Sequence, residues 1–227
     1  MKESKQPRFG FKLEYGLKTT VFALLSLCFS IAFAIMNGVI AVREQSVWYG
    51  ALAGYYVLLI LFRGITVAAD RLSKRKCNDE RAYASTRNKI YLGCGAFLVI
   101  VEIAMCIAVT QMVMYGRPVR GGTIFAIATA AYTFYKIVMA IVHVVKASKY
   151  KDPVSQALRN LNFADACMSM ASLTVLMLSV FDEGNDLTFA IAMKACAGFA
   201  ACAAVLAVAT VMIVKAAKKL GEGKDND

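Results

Sequence analysis

The third apolar run of the chain covers residues 90–114 and reads IYLGCGAFLVIVEIAMCIAVTQMVM, with Glu102 as its one charged residue. As an α-helix it would be about 37 Å long at 1.5 Å per residue. That length exceeds the roughly 30 Å of hydrocarbon in a bilayer. Five further runs of similar length and composition predict five more spans. They lie at residues 17–42, 46–69, 123–145, 162–181 and 188–214.

The whole chain is 59% hydrophobic over 227 residues, whereas soluble domains are usually about 45–50% apolar. The segments between the runs are too short for a second domain. We therefore predict an all-α integral membrane protein, a six-transmembrane-helix bundle in a single polytopic domain. Basic residues precede the first run as they would in a signal peptide, but its apolar stretch continues to Val42. We expect this run to be retained as a span.

Basic residues gather in alternate connections of this predicted bundle, before residue 17, at 70–89, at 146–161 and after 214. The positive-inside rule then places both termini in the cytoplasm. It also accounts for the net charge of +11 without a nucleic-acid partner. A basic inner face would attract anionic lipid headgroups, although topology alone explains the same charges more simply. We expect the plasma membrane of a bacterium.

Short matches within the chain suggest three helical hairpins in the same orientation. Residues 56–73 can be laid on residues 132–149 without a gap, and the ends of spans four and six resemble each other. Turn signals also stand out. Residues 43–45 predict a tight turn, and Asp152 followed by Pro153 predicts a helix that begins at the proline. Glycines at 50 and 54, with the alanines and Gly198 of span six, predict close helix contacts.

Five charged residues lie in or at the edge of the apolar runs, where an ionisable group needs a partner, water or a route to the interface. They are Arg63, Glu102, Lys136, Asp165 and Lys194. Glu102 and Lys136 lie near the middle of spans three and four, which a short loop joins. We therefore expect these two to pair, either as a structural salt bridge or as a site whose occupancy a solute, ion or proton changes.

The remaining charges have simpler explanations beside the functional one. Arg63 lies a few residues from the cytoplasmic end of span two and could snorkel to the interface. Asp165 is within predicted reach of Arg63, Lys136 or His143, and Tyr132 shares a helix face with Lys136. Together these give the candidate ligand-binding residues, without catalytic or metal-ligating ones. They are Glu102, Lys136, Tyr132, Arg63, Asp165 and His143.

Polar side chains recur at helical spacing within several runs. Span two carries Tyr49, Tyr56, Arg63 and Asp70, and span five carries Asp165, Ser169, Ser172 and Ser179. Such stripes should turn away from lipid. Hydrogen bonds between helices are sufficient to explain the serines, and a lined solute path is the alternative.

Motifs for nucleotide, dinucleotide or zinc binding and for serine hydrolases do not occur in the sequence. One histidine and seven cysteines without a CxxC spacing predict reduced thiols and no metal or other cofactor. We expect no enzymatic activity. The sequence favours a small-solute membrane transport protein, or the membrane subunit of a transport complex, without its own nucleotide site. The alternative is an accessory, structural or regulatory membrane protein that docks partners through its helices or its basic cytoplasmic loops.

Overall fold

The computed structural model describes residues 28, 30–76, 80–115, 123–147, 153–180 and 187–224, and these ranges are helical except for the turn at residues 45 and 46. The prediction of an all-α fold is confirmed. Helix α1 covers residues 30–44. The next five are α2 (Val47–Lys76), α3 (Glu80–Tyr115), α4 (Thr123–Ala147), α5 (Pro153–Val180) and α6 (Leu187–Lys224).

Four of these helices contain segments that are long and apolar enough to cross a bilayer. The segments are Val47–Lys76, Tyr83–Tyr115, Pro153–Val180 and Thr188–Gly221. Their outward faces are apolar, as on α3, where Ile100, Ile103 and Ile107 are all exposed. Steps of three and four residues place these side chains on one helix face. Large exposed apolar patches of this kind are rare in soluble monomers, and they suit contact with lipid.

The helices extend beyond the predicted apolar runs because polar residues continue them. The predicted cytoplasmic connection at residues 70–89 is helical through Lys76 and again from Glu80. The ends of this connection are held together: Arg87 Nε lies 3.0 Å from Asp70 Oδ1, and Tyr83 donates a 3.2 Å hydrogen bond to the same oxygen. Helix α5 begins at Pro153, as predicted.

A tight turn was predicted at residues 43–45, and the structure has one at residues 45 and 46, because α1 continues through residue 44. Gln45 has a φ of 48°, in the left-handed region, and the Ser46 amide donates to the Ala41 carbonyl at 3.1 Å. This is the hydrogen bond of a Schellman cap, which ends α1. Ser46 then accepts the first hydrogen bond of α2, from the Gly50 amide at 3.1 Å. The chain therefore reverses within two residues and places α2 against α1.

Helix α5 is central among α2–α6, since it contacts α2, α3, α4 and α6. Helix α3 packs closely on α6, where an added Cβ at Gly198 would lie 2.8 Å from Val109 Cγ1. The predicted close contact at span six is therefore confirmed. Within this set, the backbone of α4 packs only against α5. Consequently α3 and α4, although consecutive in the chain, are not neighbours in the part that the structure describes.

Candidate functional site

Asp165 on α5 is the centre of a buried group of charges. Its Oδ1 accepts a 2.7 Å hydrogen bond from Lys136 Nζ on α4, and its Oδ2 accepts a 3.0 Å hydrogen bond from Arg63 Nη2 on α2. The exposed fractions of the three side chains are 6% for Asp165, 9% for Lys136 and 12% for Arg63. We call these three residues the charge cluster. It joins three helices at one carboxylate.

Ser169, one turn after Asp165, extends this network. Its hydroxyl donates to the Asp165 carbonyl oxygen at 2.8 Å, so its single proton is already used. Ser169 Oγ must therefore accept both from Lys136 Nζ, at 3.0 Å, and from the Tyr56 hydroxyl, at 2.9 Å. The direction of these hydrogen bonds is therefore determined: Lys136 and Tyr56 are the donors, and the acceptors lie on α5.

Three aromatic rings surround the ammonium group of Lys136. Its Nζ lies 5.3 Å from the ring centroid of Phe33, 4.7 Å from that of Tyr56 and 4.8 Å from that of Tyr132. The rings also contact one another, with centroids 4.6 Å apart for Phe33 and Tyr132 and 5.8 Å apart for Phe33 and Tyr56. We call these three rings the aromatic cage. Ring faces attract a cation within about 6 Å, so the cage stabilises Lys136 in its charged form and links α1 to the site.

Arg63 is less completely bound than Lys136. Its Nη2 makes one further contact, 3.4 Å from the Leu161 carbonyl oxygen. Its Nε is buried and has no acceptor among the described residues. The charge cluster contains two cations and one anion, and therefore carries one positive charge in excess. Arg63 has the unused hydrogen-bond donor through which that excess charge could be balanced.

The predicted pair of Glu102 with Lys136 is wrong. Lys136 bonds to Asp165, because α4 packs against α5 and not against α3. Glu102 is 0% exposed, and neither of its carboxyl oxygens meets hydrogen-bond geometry with a described group. The thiol of Cys202 on α6, a weak donor, lies beside this carboxyl. Glu102 is thus a second polar site, on α3 rather than on the helices that form the charge cluster.

The other candidate residues are placed as follows. Tyr132 lies beside Lys136, as the shared helix face predicts, and Asp165 reaches both Arg63 and Lys136. The interpretation of Arg63 as a snorkelling residue is wrong, because its guanidinium turns inward to Asp165. The side chain of His143 lies outside the described residues.

Sequence reasoning did not select Phe33, Tyr56 or Ser169 as site residues. Tyr56 and Ser169 were detectable, because each lies at a step of four or seven from a charged residue of its own stripe. Phe33 gave no signal, since one aromatic residue in an apolar run has no spacing that distinguishes it. In the described part of the chain, no group of three or more His, Cys, Asp and Glu side chains could hold a metal ion.

No family model matches the chain, and neither a curated protein nor a solved structure is significantly similar to it.

Proposed function

We propose that this chain is a small-solute membrane transport protein, or the membrane subunit of a transport complex, and that the charge cluster binds the solute. The supporting observation is the excess positive charge buried among α2, α4 and α5. Hydrogen bonds between small polar residues are sufficient to join helices in a membrane. Charged residues there are costly and commonly mark solute or ion paths. A purely structural core would not need a third, uncompensated charge.

The arrangement suggests how binding would act on the helices. A solute with a negatively charged group would accept hydrogen bonds from Arg63, whose Nε has no acceptor among the described residues. It would compete with Asp165, the residue that ties α2 and α4 to α5. Occupancy would therefore loosen one helix contact while neutralising the site. Such a change in packing is what opening to one side of the membrane requires.

The proposal includes the topology and location that the sequence favours. The chain crosses a bacterial plasma membrane six times, has both termini in the cytoplasm, and has anionic lipid headgroups against its basic inner face. It needs neither a cofactor nor a nucleotide site of its own, and it includes no enzymatic activity. Energy for transport would come from a gradient or from a partner subunit.

The test is whether water and an anion reach the site. Thr133 on α4 is fully buried one turn before Lys136, and its hydroxyl has no partner in the described chain. The adjacent Phe134 is 63% exposed and points outward, where the proposal places lipid. We would prepare Thr133→Cys and Phe134→Cys in a cysteine-free background. The probes are a membrane-impermeant anionic thiosulfonate and its cationic analogue, applied to intact cells and to inverted vesicles.

The proposal predicts that the cysteine at position 133 reacts from at least one side, faster with the anionic reagent, and that the cysteine at 134 does not react. The preference for the anion should disappear when Arg63→Gln is added. If folded protein is labelled at neither position from either side, the region is dry and the transport proposal is overturned.

The alternative, an accessory protein that docks a membrane partner, is favoured by the outer face of α2. Gly54 and Gly64 on this helix have no atom within 4 Å of the position of an added Cβ, and both are exposed. Glycines of this kind allow another helix to approach closely. Gly54→Leu should release a stoichiometric partner if one binds there. Gly93→Leu, at an equally open glycine on α3, is the matched control that should retain it.

A further inference from the structure

Glu102 is the one charged residue in the described core that the proposed solute site does not use. Its neighbours come from every helix that packs on α3. Tyr55 on α2, Cys167 on α5 and Cys202 on α6 interact electrostatically with its carboxyl group. Cys106 on α3 itself lies one turn away and contacts Cys202. None of these four neighbours is a cation.

Because none of these four neighbours is a cation, the packing favours one protonation state of Glu102 over the other. An ionised carboxylate taken out of water needs a counter-ion or several hydrogen bonds, and without them its burial is very costly. Neither carboxyl oxygen has a hydrogen-bond partner in the described chain. The neutral acid carries no net charge, and its burial costs only as much as that of other uncharged polar groups. The surroundings therefore accommodate the acid and not the carboxylate.

We propose that Glu102 is a proton-binding site, which holds a proton in the conformation described here and releases it in another. Release is a simple dissociation: the O–H bond of the carboxyl group breaks, the carboxylate keeps the electron pair, and the proton passes to water. This requires a second conformation in which water or a cation reaches α3 at residue 102.

Tyr55 connects the two sites. Its hydroxyl is buried and has no partner in the described chain, and it interacts electrostatically with both Glu102 and Asp165. In the described part of the chain, four charged residues face inward: Arg63, Lys136, Asp165 and Glu102. Their sum is zero when Glu102 is ionised and +1 when it is protonated. A monovalent anion at the charge cluster would restore zero in the protonated state.

This step rests on the proposed function, in which the charge cluster binds the solute. The charge balance then indicates that the solute is a small monovalent anion, transported together with one proton. The proton site itself does not depend on transport. It can therefore be tested separately.

The test uses dicyclohexylcarbodiimide, an apolar reagent that modifies protonated carboxyl groups in a hydrocarbon environment. The full chain would be reconstituted in vesicles of phosphatidylethanolamine and phosphatidylglycerol, treated at a series of pH values, and digested for mass spectrometry. We expect modification at Glu102 that decreases as the pH rises, and none at Asp165, which is ion-paired. A water-soluble carbodiimide should not modify Glu102.

Glu102→Gln is the matched variant, since it keeps the shape of the side chain and cannot be ionised. It should lose the modification at this position and also the infrared carbonyl band of a buried carboxylic acid, which the wild-type protein should show. Asp165→Asn should leave that band unchanged. Folded wild-type protein without the band and without modification at Glu102 at any pH would overturn the proposal.

The two proposals can fail separately. Modification at Glu102, combined with no access of the thiosulfonate reagents to position 133, would retain the proton site and reject the solute path. Access to position 133 without modification at Glu102 would reject the proton site alone.

Discussion

Lys136 donates a 2.7 Å hydrogen bond to Asp165 across the interface of α4 and α5. Within the set α2–α6, this is the only interface in which the backbone of α4 packs against another helix. The pair is therefore both the core of the candidate site and a main attachment of α4. Substitutions at Lys136 and Asp165 measure how much this ion pair contributes to the free energy of unfolding, apart from any role in binding a solute.

Asp165→Asn should destabilise the protein by about 3–5 kcal/mol, because it leaves Lys136 and Arg63 buried without an anion. The measurement is the free energy of unfolding in mixed detergent micelles. The control is the double variant Lys136→Met with Asp165→Asn, which removes both partners of the shorter ion pair. Its loss should be smaller than the sum of the two single losses. A sum that agrees within about 0.5 kcal/mol would mean that the residues are not coupled.

The aromatic cage should stabilise Lys136 through its ring faces. Phe33→Leu removes one ring and keeps an apolar side chain, and we expect a loss of about 0.5–2 kcal/mol from the cation–π contact. The same substitution in a Lys136→Met background should cost less, because no cation remains. Equal losses in the two backgrounds would indicate that Phe33 contributes by packing alone.

Tyr56→Phe tests the other contribution to the cage, because it keeps the ring and removes the hydroxyl that donates to Ser169. We expect a loss of about 1 kcal/mol, the usual net value of one hydrogen bond. Thermal unfolding of the purified variant measures it. Ser169→Ala removes the acceptor of the same bond, so adding Tyr56→Phe to it should produce little further loss. A full additional loss would show that the hydroxyl has another partner.

Two glycines on α3 form a matched pair for testing the contact with α6. A Cβ at Gly95 would lie 2.9 Å from Ile213 Cγ1 and 3.3 Å from the Ala209 carbonyl oxygen, whereas one at Gly93 meets nothing within 4 Å. Gly95→Ala should therefore destabilise the protein by about 1–3 kcal/mol through overpacking. Gly93→Ala should be neutral or stabilising, because alanine favours the helix by up to about 1 kcal/mol. Opposite results in thermal unfolding would contradict the close packing of α3 and α6.

The turn between α1 and α2 can be improved. Gln45 has a left-handed backbone, which costs an ordinary residue about 1–2 kcal/mol relative to its preferred conformation. Gln45→Gly should relieve most of this strain and raise the unfolding temperature, despite the larger entropy of glycine in the unfolded chain. Gln45→Ala should give no such gain. If the two variants unfold at the same temperature, the turn is not strained at this residue.

Much of the fold follows from one-dimensional patterns. Apolar runs of about 20 residues predict the helices, and Pro153 marks the start of α5 because proline suits a first helical turn. The helical extension of α2 to Lys76 was not predictable from apolar content. It depends on polar residues with good helix propensity and on the contact of Asp70 with Arg87, which forms only in the folded hairpin.

The choice of charge partners could not be predicted, because it depends on which helices are neighbours. A short connection made α3 and α4 plausible neighbours, and hence Glu102 and Lys136. The absence of a Cβ atom at Gly95 and Gly198 instead allows α6 to approach α3 closely. Because helix α4 packs on α5, Lys136 pairs with Asp165. Helical spacing did place Tyr132 beside Lys136, since that relation lies within a single helix. The internal repeat of three hairpins stays a prediction.

Asp165 follows both of its partners in the chain, and this order has a consequence for biosynthesis. A ribosome that has made α2 and α4 has already synthesised Arg63 and Lys136, whereas Asp165, the carboxylate that pairs with both, has not yet emerged. Until α5 arrives, the two cations need another counter-ion, such as an acidic headgroup or the insertion machinery itself. Helix α5 is thus the element whose synthesis completes the charge cluster, and a nascent chain that stops before residue 165 would leave both cations without their carboxylate partner.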